Sequence, residues 1–456
     1  MQVREGAKGL RSVAVIGGGI AGLTVAYRLQ QRTPRLEVTV YEKESQVGGF
    51  VRTHREDGRL VELGPNGFLD SKPEIMSLCR ELGLELERAD PKSAERFVEI
   101  DGRLRRLPKT PAEFIRSDIL SLRGKLRFLS ERLRGKASSS PDESIANFGR
   151  RHFGIEATNN LIDAVVTGIF AGDIEKLSVR SCFPKLVELE TKYGSLLKAQ
   201  GALAKEKRER GDPSGLGTLT CSVGGMGALI HRLAERLGSI VHANKAVRSV
   251  TRESDGWGIA VDSENKKTDA VVLATPARTT AELIDDGTLC SELKSISDVP
   301  AVVVALSFDQ PLPDGFGFII PGRLGCEVLG VIYSSNLFPN QSKPGESSIR
   351  AILGGDRRRD VLAWNDDKLI QSVRDQLKRL AGVDAEPRHS FVQRWPHAIP
   401  QYHVGHQAKL KRIEESLSRI PGLFLTGASY RGLAVADCVR DGNAVAERAA
   451  GYLETL

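Results

Sequence analysis

Short apolar runs closed by glycine or proline alternate along this chain with stretches whose apolar residues repeat at helical spacing. The first run, Ser12–Ile16, predicts a buried strand; it ends in Gly17-Gly18-Gly19-Ile20-Ala21-Gly22, and residues 23–30 predict a helix. Glu37–Tyr41 predicts a second strand, closed by Glu42. A strand, a helix and a strand in that order demand a parallel sheet. Helical periodicity returns at residues 77–86 and dominates from 110 to about 210, with Pro111-Ala112-Glu113 at a helix start, a basic run over 120–136 and a helix over 144–152. Residues 137–141 read as a loop and 205–216 as a polar linker. A helix over 229–237 and strands over 247–250, 258–261 and 269–274 follow. Residues 300–400 alternate strand runs (301–308, 316–320, 329–333, 348–353) with one helix near 367–380. A strand over 423–426 enters Gly427, and a helix over 441–453 closes the chain. No period repeats, so the pattern is that of an α/β protein, α+β in its later part, with regions inserted between the strands of the first sheet.

The glycine turn carries the first chemistry. Gly17 permits the sharp bend, Gly19 lets backbone approach a pyrophosphate, and Gly22 lets the helix pack closely on the strand. The helix start supplies free N–H groups and a positive end to the phosphates. Glu42, twenty residues after Gly22, stands where it can accept both ribose hydroxyls. This predicts a Rossmann-like dinucleotide site. Gly48-Gly49 and Gly64-Pro65-Asn66-Gly67 offer further bare backbone, and Gly427 and Gly432-Leu433-Ala434 return before the last helix. Paired glycines usually mark plain turns. Spread before and after the inserted regions, these favour the longer cofactor, FAD.

Composition narrows the rest. The chain has 456 residues, 40% hydrophobic, with a formal net charge of +7 and a pI near 9.0. That charge favours anionic ligands or an anionic membrane surface, and the spread of Lys and Arg argues against nucleic acid. The six cysteines (Cys79, Cys182, Cys221, Cys290, Cys326, Cys438) are too far apart for a metal site and read as reduced thiols of a cytosolic protein. No signal peptide or spanning helix is legible, so membrane contact would be peripheral. No metal cluster and no Ser-His-Asp or Cys-His constellation appears, and no general base is assigned. His397, His403 and His406 read as loop histidines.

Several segments resemble the protoporphyrinogen oxidase family of flavoproteins. They are Gly48-Gly49 with Thr53, Glu62-Leu63-Gly64-Pro65, Gly168-Ile169-Phe170-Ala171-Gly172-Asp173, Leu177-Ser178 with Phe183-Pro184, and Gly224-Gly225-Met226. Phe316-Gly317-Phe318, Ile399-Pro400-Gln401-Tyr402 and Gly427-Ala428-Ser429-Tyr430-Arg431-Gly432 complete the set, and the likeness runs from Val13 to about Ala446. The resemblance implies an FAD domain (1–95, 212–298, 416–456), a mixed-sheet substrate domain (96–109, 299–415) and a helical membrane-binding domain (110–211). It implies noncovalent FAD, molecular oxygen as acceptor and a porphyrinogen substrate in heme biosynthesis, from which six electrons are removed in three rounds with hydrogen peroxide as product. Protoporphyrinogen IX is the expected substrate, with coproporphyrinogen III as the alternative. Two departures stand out: Phe50 follows the glycine pair where many relatives carry arginine, and Ala436 stands where many have asparagine.

By the same resemblance Lys43, Phe50, Val247 and Trp395 join Gly17 to Gly22, Glu42 and the later glycines around the cofactor. Phe316, Ile319 and Ile352 wall the substrate, Gly168 admits it close to backbone, and Arg96 meets a propionate. The basic stretch 116–136, with seven cations among Leu, Ile and Phe, is expected to lie on anionic lipid. A homodimer is compatible with the sequence. A flavin amine oxidase, a carotenoid-type desaturase and a nonenzymatic flavin-binding protein are the rival readings. The low aromatic content of 5% counts against the first.

Overall fold

An unbroken apolar run makes Ser12–Ile16 a strand buried on both faces, and the protein grows outward from it. The structure is a computed structural model describing residues 10–33, 36–134, 142–210 and 217–456. Five parallel strands stand in the order Val241–His242, Glu37–Tyr41, Ser12–Ile16, Ala270–Leu273, Leu423–Leu425. Val13 and Val15 pack against helices Ile20–Arg32, Gly227–Leu237 and Val435–Glu454. Ala14 and Ile16 face the other side, which an antiparallel sheet (Val247–Glu253, Gly256–Val261, Glu264–Thr268) and helix His406–Leu417 cover. Burial on both faces is what a parallel sheet requires.

A second, seven-stranded sheet runs His389–Pro400, Asp298–Phe308, Ser347–Gly354, Val328–Ile332, Gly317–Ile319, Phe97–Ile100, Arg103–Arg106. Only the contact between Gly317–Ile319 and Phe97–Ile100 is parallel. Val302, Val304, Leu306, Val331, Ala351 and Leu353 bury one face against helix Asp366–Gln376. The alternate residues therefore show on the opposite face. Every described element between residues 111 and 210 is helical. Among the described residues no helix is long and apolar enough to cross a membrane.

Several predicted elements shift. The segment read as a linker from residue 205 continues helix Leu196–Arg210, since Ala, Lys and Glu are good helix formers and Lys205 pairs with Glu209 one turn on; residues 211–216 and the loop at 137–141 lie outside the described residues. The helix expected at 77–86 is Pro73–Glu81, started by proline at its first position, and the chain then turns into strand Leu86–Arg88. The closing helix starts at Val435 rather than 441. Its Gly442 packs so closely on the opening helix that a Cβ there would lie 3.0 Å from the Ala21 carbonyl. Strand His389–Pro400 and helix His406–Leu417 were not foreseen. The strand lies at the sheet edge, where polar side chains reach solvent and no alternation is forced. Two of the three histidines are accordingly not loop residues, while His403 stays in the connection between strand and helix. His397 is in that strand, paired with Asp298 at 2.7 Å. His406 opens the helix, buried, with burial holding its pKa down to about 4.

Candidate active site

The carboxyl ends of parallel strands Glu37–Tyr41, Ser12–Ile16 and Leu423–Leu425 bring the glycine clusters to one edge of the sheet. Gly17 has a φ of +108°, and a Cβ on it would stand 2.8 Å from the Ala274 carbonyl. Gly18 donates its N–H to Glu42 Oε2 at 2.8 Å. Gly19, at the head of the helix, has nothing within 4 Å of where a side chain would begin. Ile20 and Ala21 form the buried first turn, and a Cβ on Gly22 would strike the Gly17 carbonyl at 2.1 Å. Bend, open backbone and close packing thus fall on Gly17, Gly19 and Gly22 in turn.

Gly48 donates to the Gly18 carbonyl at 2.7 Å and forms a bridge with Gly19, so the second glycine pair lies against the first turn. Gly49 would approach Gly19 Cα to 3.5 Å. Lys245 N–H donates to the Glu42 carbonyl at 2.8 Å, which brings the strand beginning at Val247 to the acid's end of the sheet. Glu42 is buried, whereas Lys43 is exposed and pairs with Glu44. At the chain's return, Gly427 has a φ of +118° and only the Ala274 carbonyl, at 4.0 Å, near its missing Cβ. Gly432 N–H donates to the Tyr402 hydroxyl at 3.0 Å, Leu433 packs on the cluster around Tyr402, and Ala434 caps the closing helix.

The Phe50 ring meets Trp395 edge-on, centroids 5.1 Å apart, and the Arg52 guanidinium lies over the same indole at 5.7 Å. An aromatic edge thus stands at the position where the resemblance noted a departure from arginine. Gly64 is a packing glycine: a Cβ would overlap the Phe50 carbonyl at 1.8 Å. Gly67 likewise abuts the Thr220 carbonyl, with half-buried Pro65 and Asn66 between. Trp395 donates from Nε1 to the Leu63 carbonyl at 2.8 Å.

A second arrangement lies on the open face of the large sheet. Ile319 and Ile352 both pair with Gly330, so the three form one row across adjacent strands with no side chain at its centre. Gly168 faces the row from its helix; a Cβ there would lie 3.1 Å from Ile319 Cδ1. By the two-residue period of a strand, Trp395 shares this face. Phe316 lies apart from the row, packed against the first core cluster, under the Arg96 guanidinium at 5.0 Å. Arg96 is exposed, and its guanidinium has no carboxylate partner among the described residues.

Two buried groups escaped the sequence reading. Tyr402, 2% exposed, donates its hydroxyl to the Ala428 carbonyl and accepts from Gly432, tying the large sheet to the final glycine return. Arg350, 5% exposed, shares the open face two positions before Ile352 and donates to the Glu62 and Gly64 carbonyls. Its signal was the alternation that already placed Ile352 on that face.

A parallel sheet with open glycine backbone and a buried acid at its carboxyl edge, beside an aromatic-lined apolar face, defines an FAD-dependent oxidoreductase. The chain belongs to the flavin-containing amine oxidoreductase family, whose profile matches residues 20–450. It is 29% identical to coproporphyrinogen III oxidase of Bacillus subtilis (strain 168) over 98% of this chain and 99% of that one. It is 30% identical to protoporphyrinogen oxidase 2 of Arabidopsis thaliana, covering 98% and 95%. A crystal structure from Exiguobacterium sp. 255-15, assigned as a protoporphyrinogen oxidase, superposes with a TM-score of 0.86 at 26% identity over 97% of this chain and 99% of that one.

The residues fit FAD: Gly19 and Gly427 leave free space at the sheet's carboxyl edge, and the Glu42 carboxylate, already oriented by Gly18 and Glu44 N–H groups, keeps lone pairs for a ribose.

Proposed function

We propose that this protein is a porphyrinogen oxidase of heme biosynthesis, acting on protoporphyrinogen IX. The observation that carries the reading is the apolar row Ile319–Gly330–Ile352, bare at its centre, opposite Gly168. A flat apolar macrocycle needs walls of that kind, with cations only where its carboxylate arms emerge. The end-to-end likeness to porphyrinogen oxidases supports the same substrate class.

FAD held by this glycine backbone and Glu42 would supply the redox chemistry, accepting two electrons in each round. Each round removes two electrons with two protons' worth of hydrogen, one as hydride and one as a pyrrole N–H proton; oxygen takes both electrons and two protons to give hydrogen peroxide. Three rounds complete the porphyrin. The chain's own residues bind, orient and exclude water. Gly17 to Gly22, Gly48, Gly49 and Glu42 hold the pyrophosphate and ribose; Trp395 and Phe50 pack beside the ring system; Ile319, Ile352 and Gly168 sandwich the macrocycle; Arg96 holds a propionate. No side chain is assigned the proton.

Coproporphyrinogen III is the second reading, favoured by the Bacillus and Staphylococcus aureus relatives of that name, 29% and 28% identical. Anaerobic flavin reduction by each porphyrinogen decides between them. Faster reduction by protoporphyrinogen is expected; a clear preference for coproporphyrinogen changes the substrate, and no reduction by either overturns the class.

The same reading includes attachment to an anionic membrane surface. Ile115, Leu122, Leu126, Leu129 and Leu133 are all exposed, Leu133 at 88%. Arg116, Arg123 and Arg132 are exposed among them. Lys125 and Arg127 are instead turned to backbone carbonyls, so fewer cations face outward than the sequence count suggested. Co-sedimentation with phosphatidylserine vesicles, lost in Leu126→Asp/Leu133→Asp, is the expected result; equal binding of both proteins removes this surface from the reading.

A further inference from the structure

Three successive carbonyls of one turn are gripped by side chains from the large sheet. Arg350 Nη1 donates to Glu62 O at 2.9 Å and Gly64 O at 2.6 Å, and Trp395 Nε1 donates to the Leu63 carbonyl between them at 2.8 Å. The turn is the one that packs against the Phe50 carbonyl through Gly64. It is held from the other side as well, because the Glu62 carboxylate accepts from Met226 N–H at 2.7 Å and Thr53 Oγ1 at 2.9 Å.

The charge on Arg350 is unusually placed. It is 5% exposed, its Nε has no hydrogen-bond partner, and no carboxylate lies within ion-pair distance among the described residues. A buried cation without a counterion is costly, and an apolar residue would fill a strand position at far lower cost. Burial brings the guanidinium down only to about 10, so it stays charged at neutral pH.

We propose that Arg350 is a positioning residue for the flavin: it clamps the Glu62-Leu63-Gly64 turn and sets a positive charge with no direct ion-pair partner behind it, favouring the negatively charged reduced flavin. This rests on the reading that the turn borders the cofactor. In a water-poor interior such a charge acts over several ångströms with little screening. Glu62 is its opponent on the same turn. Desolvation pushes that carboxyl up to about 7 against the hydrogen bonds from Met226 and Thr53, with Arg350 and Arg55 the facing cations and Cys221 the nearby thiol.

The two side chains should therefore move the flavin potential in opposite directions, which a pin of purely structural importance would not do. The test uses the FAD-loaded full chain, with midpoint potentials read by reductive dye titration and FAD affinity by fluorescence. Arg350→Met is expected to lower the potential and weaken FAD binding roughly tenfold, the scale of one lost charge-assisted hydrogen bond. Arg350→Lys keeps the potential near that of the parent while regaining only part of the affinity. Glu62→Gln raises the potential at pH 8 and converges on the parent at pH 6, where the carboxyl is already protonated. A parent-like potential in Arg350→Met overturns the proposal. If that variant fails to fold, an unshifted Glu62→Gln at pH 8 overturns it instead. Gly19→Leu separates the two levels: if it still binds FAD, the placement of the cofactor fails and not the charge argument alone.

Discussion

The Arg96 guanidinium lies 5.0 Å from the centre of the Phe316 ring, stacked on it rather than paired with a carboxylate. Stacking fixes the planar group while leaving its hydrogen-bonding edge unspent. Arg96→Ala is expected to raise the porphyrinogen KM or dissociation constant roughly fivefold with a small change in the saturated reduction rate, since an exposed ion pair contributes about 1 kcal/mol at most. Stopped-flow reduction across substrate concentration checks it; an unchanged affinity removes Arg96 from the pocket.

Gly19 and Gly22 should fail in different ways. A side chain at Gly19 meets only open space, so Gly19→Leu should fold normally and emerge without FAD. Gly22→Ala forces a contact of 2.1 Å with backbone, so it should lower the thermal midpoint even when FAD is supplied in excess. Absorbance of bound flavin and a melting curve on each variant separate the two outcomes.

Filling the space opposite Ile319 should block substrate before it harms the fold. Gly168→Leu projects into space that Ile319 Cδ1 borders at 3.1 Å. The expected result is a flavin-loaded protein reduced by porphyrinogen at least roughly tenfold more slowly at fixed substrate, on the scale of a few kcal/mol for overpacking. Dithionite should reduce the same flavin normally.

Glu62 gives the protein a pH dependence of definite sign. Its carboxyl is raised from 4.5 to about 7 in the folded state by desolvation. The folded state therefore holds that proton more tightly than the unfolded one, and the associated stability is present below pH 4.5 and lost as pH rises through 7. The loss amounts to about 3 kcal/mol on the scale of 1.36 kcal/mol per pKa unit. Glu62→Gln should gain stability relative to the parent at pH 8 and show none of this slope in denaturant titrations between pH 5 and 8.

The proposed cofactor half of the site was far more legible than the proposed substrate half. Gly17, Gly19 and Gly22 announce themselves because backbone must do the work there, and only one residue type allows it. Glu42 was readable because the second strand fixes its position. Arg350 was not: beside Ile349 and Ala351 it reads as the solvent side of a half-buried strand, and only the turn from Glu62 to Gly64, brought from 286 to 288 residues away, covers it. Tyr402 likewise gains its meaning from a carbonyl at Ala428. The edge strand His389–Pro400 hid for the opposite reason, since an edge imposes too little alternation to detect.

Strand Leu423–Leu425 adds to the parallel sheet beside Ala270–Leu273, and Gly427 follows it directly. During synthesis, then, the ribosome has made the opening turn and both inserted regions long before the last wall of the cradle exists. Capture of FAD is a late event, expected only once residues beyond 427 have emerged. Nascent chains halted earlier would carry exposed strand edges along Ala270–Leu273 without the cofactor's stabilisation, and bound flavin would serve as a report of completed translation.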